Sequence, residues 1–279
     1  WIFNSVESGA RSLLWTLFPV RPQDPSASPF STGFFVFQKK IFASLAYWRL
    51  IAAVSALLEN FLSPTTPALK ICGVTRAPDA EKLAQLGVEA LGINFWDQSR
   101  RYCPPESAAR FLPGLSDRIL RVGVFVNADP DLPRKLLTNG IIDIAQFHGD
   151  EDLSYCEAFA DAHLPFFKAI GMTDEADLPS ALDYPASALL LDAHAPGLYG
   201  GTGRTIDWKA VARFINNASP PPVILAGGIT PGNATEALLQ SRACALDVAS
   251  GAESSPGEKD FDKIRALLAS VRSYPSNAE

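Results

Sequence analysis

The feature that most constrains this chain is an alternation that begins at residue 68. Eight short apolar runs follow one another: ALKIC at 68, VEALGINF at 88, ILRVGVFV at 119, IIDIAQFH at 141, LPFFKAI at 164, ALLLD at 188, PVILAGG at 222 and ALDVASG at 245. Each run is close to continuously apolar, which suits a strand covered on both faces, whereas a strand with one wet face would alternate. The stretches between them carry apolar residues at helical spacing, as in PDAEKLAQLG, DLSYCEAFADA, DWKAVARFINN, GNATEALLQ and DFDKIRALLASV. Several open on Asp or Asn, residues that cap a helix N-terminus. Eight strands, each followed by a helix, within about 210 residues predict an α/β fold of the (β/α)8 barrel type. An open doubly wound sheet is the alternative, but it needs no such regular count of eight, and no GxGxxG follows the first run.

Residues 1–67 read differently and are expected to form an N-terminal extension and linker, with the barrel over 68–273 and a short tail over 274–279. The extension contains the Pro/Ser-rich run PVRPQDPSASPFSTG and the apolar run IFASLAYWRLIAAVSALLENFL, preceded by Lys39 and Lys40. Three readings stay open for that apolar run: a membrane-associated helix, which Arg49 in its middle argues against, an amphipathic helix packed on the barrel, or sequence without stable structure. SPTTP at 63–67 reads as a linker, because its prolines resist both helix and ladder. The acidity belongs to residues 68 onward, which hold 19 basic against 27 acidic side chains in a chain of net charge −6. That balance argues against a broad grip on nucleic acid but allows a small cationic pocket for an anionic metabolite. Cys72, Cys103, Cys156 and Cys244 form no CxxC pair, and His148, His163 and His194 form no HExxH. A disulfide framework, a metal site and a cofactor are therefore not expected, and a reducing cytoplasm is.

In a barrel of this type the chemistry gathers at the C-terminal ends of the strands. That rule nominates Cys72 after strand one, Arg100 and Arg101 after two, Asn127 after three, His148 after four and Asp192 after six. Gly227 and Gly228 follow strand seven, and Ser250 and Gly251 follow strand eight. Glycines in those last two loops let backbone N–H groups approach an anion, so AGGITPGN and ASGAE are expected to build a phosphate site. Asp207 in TIDW is expected to cap a helix, Cys103 to pack, and Asp247 to bond a neighbouring strand or loop. GLYGGTGR, after Asp192, is expected to act as a lid.

KICGVT at 70–75, FWDQSRRY at 95–102, VGVFVN at 122–127, QFHGDE at 146–151, LLLDAHAPGLYGGTGRTIDW at 189–208, ILAGGITPGN at 224–233 and DVASGAES at 247–254 occur in order. Together they resemble the phosphoribosylanthranilate isomerase family of tryptophan biosynthesis over residues 68 to about 271. The resemblance implies an Amadori rearrangement of a phosphosugar, with Cys72 as general base, Asp192 as general acid and Arg101 holding the anthranilate carboxylate. Gly227, Gly228, Ser250 and Gly251 would hold the phosphate. It implies no cofactor, and a monomer or homodimer as the working form. The chemistry fits these residue types: an acid protonates the furanose ring oxygen, and a base removes a proton from the sugar C2. Nearby cations are expected to lower the pKa of the Cys72 thiol. Two alternatives stand beside this reading. One is the related sugar isomerase of histidine biosynthesis, which resemblance associates with an aspartate where Cys72 stands. The other is a catalytically dead barrel that binds a phosphosugar as a sensor.

Overall fold

Every one of the eight apolar runs becomes a strand. In the computed structural model, which describes residues 54–63, 67–172, 178–193 and 206–275, the strands are β1 (Ala68–Cys72), β2 (Ala90–Asn94), β3 (Leu120–Phe125), β4 (Ile144–Phe147), β5 (Phe166–Met172), β6 (Ala188–Ala193), β7 (Val223–Leu225) and β8 (Ala245–Val248). Each pairs in parallel with the next, and β8 returns to β1 through the register Ala68↔Ala245 to Ile71↔Val248, so the sheet closes as a barrel. Closure leaves these strands no unpaired edge.

Residues 54–61 form a helix, α1. The helices that follow are α2 (Ala77–Leu86), α3 (Pro105–Ala108), α4 (Asp131–Thr138), α5 (Leu153–Ala160), α6 (Trp208–Ala218), α7 (Ala234–Ser241) and α8 (Phe261–Arg272). Asp152, Asp207 and Asp260 cap α5, α6 and α8, each accepting a backbone N–H of the first turn. Two crossovers depart from the expected full helix. After β2 the chain makes only the four-residue α3 and a 3-10 turn at Leu112–Leu115, because Pro104 and Pro105 open the segment and Pro113-Gly114 break it again. Between β5 and β6 the described residues hold a 3-10 turn at Pro179–Asp183.

The apolar residues sort into two layers. One lies between strands and helices and includes Ile71, Leu91, Phe125, Phe147, Leu189 and Leu246. The other fills the barrel itself, with Ala90, Val122, Ile144, Phe167, Leu190 and Ile224. Phe61, from α1, belongs to this inner layer: it is fully buried, and its ring stacks on Phe167 with centroids 6.0 Å apart. Phe167 lies near the start of β5, so α1 closes the end of the barrel opposite the strand C-termini. Residues 54–62 thus follow the packed-helix reading, and no helix among the described residues is long and apolar enough to cross a membrane. Phe61→Ala should lower stability by about 3 kcal/mol, the low end for a buried phenylalanine, and leave kcat/KM unchanged. Thermal unfolding and steady-state kinetics check both halves. An unshifted midpoint would remove Phe61 from the core account.

Candidate active site

The C-terminal ends of the strands surround a cavity lined by Cys72, Arg101, His148, Asp192, Gly227, Gly228 and Ser250, together with Asn94, Ser99 and Asp247. Six of the seven residues to which the resemblance assigns a role therefore meet in one place, and His148 joins them. The seventh, Gly251, serves from behind: a Cβ there would sit 1.9 Å from the Ile229 carbonyl oxygen, so only glycine lets the β8 loop lie against the β7 loop. Arg100 and Asn127 do not reach the cavity. Arg100 is exposed, and the Asn127 side chain is occupied by Asp150, accepting from its N–H at 2.7 Å and donating to its carboxylate at 3.2 Å. The glycine-rich segment expected to act as a lid lies outside the described residues.

Cys72 is the last residue of β1, and the chain turns at Gly73, whose φ is +74°. A Cβ at Gly73 would meet the Arg101 Cδ at 2.3 Å, so this glycine admits the arginine alongside the thiol. The loop carrying Arg101 is folded back on β2: Cys103 N–H donates to the Asn94 carbonyl at 2.9 Å, and Arg101 N–H donates to the Ser99 hydroxyl at 3.1 Å. Arg101 gives Nε and Nη2 to the Glu253 carboxylate, at 2.7 to 3.0 Å, which leaves its Nη1 edge without a partner among the described residues. Glu253 also accepts from Lys259 Nζ at 2.7 Å, and that ammonium donates to the Cys72 carbonyl at 2.6 Å. Both residues belong to a small hairpin, β9 (Glu253–Ser255) and β10 (Glu258–Lys259), that follows β8.

The thiol is not activated as expected. Cys72 opens on the cavity, yet the surrounding protein desolvates it, and that burial holds its pKa above the ordinary value although Lys70, Lys259 and Arg101 pull it down. Burial likewise keeps Lys259 below the ordinary lysine value in spite of Glu253. Glu253 moves the other way: burial alone would raise it, and its bonds to Arg101 and Lys259 hold it low.

Across the cavity, Asp192 near the end of β6 is buried and receives His148 Nε2 on Oδ2 at 3.2 Å. Gln146 Nε2 lies 2.8 Å from His148 Nδ1, so with the amide in this orientation Nδ1 accepts and Nε2 carries the hydrogen toward Asp192. Asp192 Oδ1 has no hydrogen-bond partner among the described residues, and a Cβ at Gly227 would stand 2.9 Å from it. One carboxylate oxygen is thus fixed and the other left for something else. His148 itself is held by the β4 loop, which Glu151 clamps by accepting Asn127 N–H and Gly149 N–H, both at 2.9 Å, while Lys168 on β5 donates to Glu151 at 3.0 Å.

Beyond β7, Gly227 and Gly228 adopt φ of +85° and +65°. Asn233 does not cap α7; its Oδ1 accepts Thr230 N–H at 2.7 Å and its Nδ2 donates to the Gly228 carbonyl at 3.0 Å, which fixes the loop's curl. The Gly227 and Gly228 N–H groups find no acceptor among the described residues. Successive amides in a left-handed turn form a concavity suited to an anion. Sequence reasoning missed Lys70, Glu253 and Lys259. The only signal was charge inside or beside runs otherwise apolar, most plainly the lysine within ALKIC.

A thiol and a carboxylate facing one cavity at the C-terminal strand ends, beside loop amides without acceptors among the described residues, place the chain among (β/α)8-barrel enzymes. The model of the N-(5'-phosphoribosyl)anthranilate (PRA) isomerase family matches residues 69–270, and the chain belongs to that family. An N-(5'-phosphoribosyl)anthranilate isomerase of Nitrosomonas europaea is 42% identical over 207 residues, which span 74% of this chain and 95% of that protein. The crystal structure of phosphoribosyl anthranilate isomerase from Thermotoga maritima is 33% identical with a TM-score of 0.68, covering 74% of this chain and 98% of its own. Another similar structure, at 32% identity, 74% and 98% coverage and a TM-score of 0.65, is a phosphoribosyl anthranilate isomerase in complex with reduced 1-(o-carboxyphenylamino)-1-deoxyribulose 5-phosphate.

Proposed function

We propose that the protein converts N-(5-phosphoribosyl)anthranilate into 1-(2-carboxyphenylamino)-1-deoxyribulose 5-phosphate, a step of tryptophan biosynthesis, with Asp192 as acid and Cys72 as base. The observation that carries the reading is the unpartnered Asp192 Oδ1 in the same cavity as the Cys72 thiol. Asp192 gives its proton to the ring oxygen as the C1–O bond breaks, leaving an open-chain iminium. The Cys72 thiolate then takes the C2 proton, and the electron pair moves into an enolamine that tautomerises to the ketone. The amides of Gly227 and Gly228, with Ser250 and the Gly251 turn, receive the phosphate. The Nη1 edge of Arg101 receives the anthranilate carboxylate, while Glu253 keeps the guanidinium in place. The four cysteines are free thiols, which suits a reducing cytoplasm.

The loss of substrate fluorescence with the full-length protein tests this directly. No turnover with phosphosugar binding intact would favour a sensor instead. Arg101→Met tests the carboxylate anchor: a lost charge-assisted contact of about 1.5–3 kcal/mol should weaken binding of a reduced product analogue by about 10- to 150-fold, with a smaller change in kcat. The buried Glu253 then keeps only Lys259 and the Gly257 N–H among its described partners, so the melting point should fall as well, and affinity must be titrated where the protein is folded. Unchanged affinity for the analogue would dismiss Arg101 from this role.

A further inference from the structure

Lys70 is a fully buried lysine in the middle of β1, in a barrel interior filled mainly by apolar side chains. Its register partner on β8 is Asp247, and the two side chains meet at 2.8 Å. A buried pair of this kind has a bland reading: it holds two strands together and does nothing more. Three observations go further. Residues two apart on a strand face the same way, so Lys70 and Cys72 share a side of the sheet. Gly92, the register partner of Cys72 on β2, leaves open the place where they converge: a Cβ there would lie 2.8 Å from the Cys72 Sγ and 3.2 Å from the Lys70 Cε. Third, the charges around the sulfur do not balance. Lys70 on β1, Arg101 from the β2 loop and Lys259 on β10 face it with three positive charges, against Asp247 on β8 and Glu253 on β9 with two negative ones. A thiolate at Cys72 makes this buried cluster neutral; a thiol leaves it with an excess cation.

We propose that Lys70 is a positioning residue for the reaction, the counter-cation that holds the Cys72 thiolate, and that Asp247 sets how much of the ammonium's charge the sulfur receives. This rests on Cys72 being the base, but the charge relation between the residues can be measured without turnover. Burial alone would strip Lys70 of its proton more easily, and Asp247, joined by Cys72, more than reverses this, so the buried amine is held as the ammonium. Lys259 and Arg101 are already engaged by Glu253, which leaves Lys70 as the cation whose share is set by a separate carboxylate.

The test is the pH dependence of iodoacetamide alkylation at Cys72 in the full chain, read by peptide mass spectrometry. The other cysteines are buried, with the Cys156 and Cys244 thiols pushed up to about 11 and about 12 by burial, so the site of modification is distinguishable. Lys70→Met should raise the midpoint by about one pH unit or more, which is about a tenfold loss of thiolate at any pH below it. Asp247→Asn should lower the midpoint, because the ammonium then has only the sulfur to satisfy. A pair that joins the strands without acting on the sulfur would move neither midpoint. If Lys70→Met fails to fold with Asp247 unpaired, the Lys70→Met/Asp247→Asn double variant removes both charges and should still raise the midpoint. An unmoved midpoint in the lysine variants, or an unmoved or raised one in Asp247→Asn, overturns the proposal. Shifted midpoints in a protein that turns over normally without Cys72 would keep the charge relation and sink only the assignment of the base.

Discussion

Cys72→Ala should lower kcat by about 10²- to 10⁴-fold, the usual worth of a general base, while affinity for a reduced product analogue stays within a few-fold of the parent. The split follows from where the thiol sits. It ends β1 on the wall of the cavity, and the anion contacts proposed above come from the backbone amides of the β7 and β8 loops and from the Nη1 edge of Arg101, not from the sulfur. Binding energy drawn from phosphate and carboxylate is untouched by its removal, so the loss falls on a step made only in the transition state. Structural costs are small: alanine removes one sulfur from a residue that already opens on the cavity, and Gly92, which crowds the thiol, loses a neighbour rather than gains one. Cys72→Ser makes the sharper comparison. A hydroxyl of similar shape is a far weaker acid than a thiol in the same surroundings, so the serine variant should be nearly as slow as the alanine one. A serine variant with most of the parent rate would show that Cys72 positions the substrate and takes no proton. Equal losses of rate and affinity in the alanine variant would make the residue structural.

How much of this was legible beforehand follows from what each part depends on. The barrel could be read because burial on both faces imprints a continuous apolar run on each strand, and all eight runs formed strands. The sites at strand ends could be read because closure leaves only two ends, and the motifs chose between them. Arg100 and Arg101 could not be ordered by position alone; only the fold of the loop, held by Ser99 and Asn94, sends the second inward. Asn127 satisfied the rule of strand ends and still turned to Asp150, because a residue with φ of 50° at a loop start serves the turn it makes. The charged cluster behind the thiol was the part most hidden. Its members come from β1, the β2 loop, β8 and the β9–β10 hairpin, and no spacing in sequence announces which lysine meets which carboxylate. The expected lowering of the thiol pKa failed for the same reason: counting nearby cations from sequence leaves out the desolvation that burial imposes and the carboxylates that claim those cations first. Phe61 was hidden differently. Its helix reads as apolar, but nothing in its own residues says that the ring ends on Phe167 rather than in a membrane.

Asp192→Asn should cost about as much in kcat as the loss of the thiol, about 10²- to 10⁴-fold, with analogue affinity and melting point close to the parent. The geometry makes asparagine an unusually clean replacement. The amide oxygen can take the Oδ2 position and keep accepting from His148 Nε2, now at 3.2 Å, so the link to Gln146 through the imidazole survives. The amide nitrogen then occupies the place of Oδ1, beside Gly227, where the carboxylate has no partner among the described residues. That nitrogen can donate a hydrogen bond to a ring oxygen, so the ground state is still held. It cannot release a proton to it, so the C1–O bond has no acid to help it break. The variant therefore separates holding from protonating at one atom. His148→Asn is the companion: it disturbs the orientation of Asp192 without removing its acidic proton, so its loss in kcat should be smaller than that of Asp192→Asn. If Asp192→Asn retains more than about a tenth of the parent kcat, below the usual worth of a general acid, the acid lies elsewhere. Should His148→Asn be the slower of the two, the imidazole and not the carboxylate would be the group that delivers the proton.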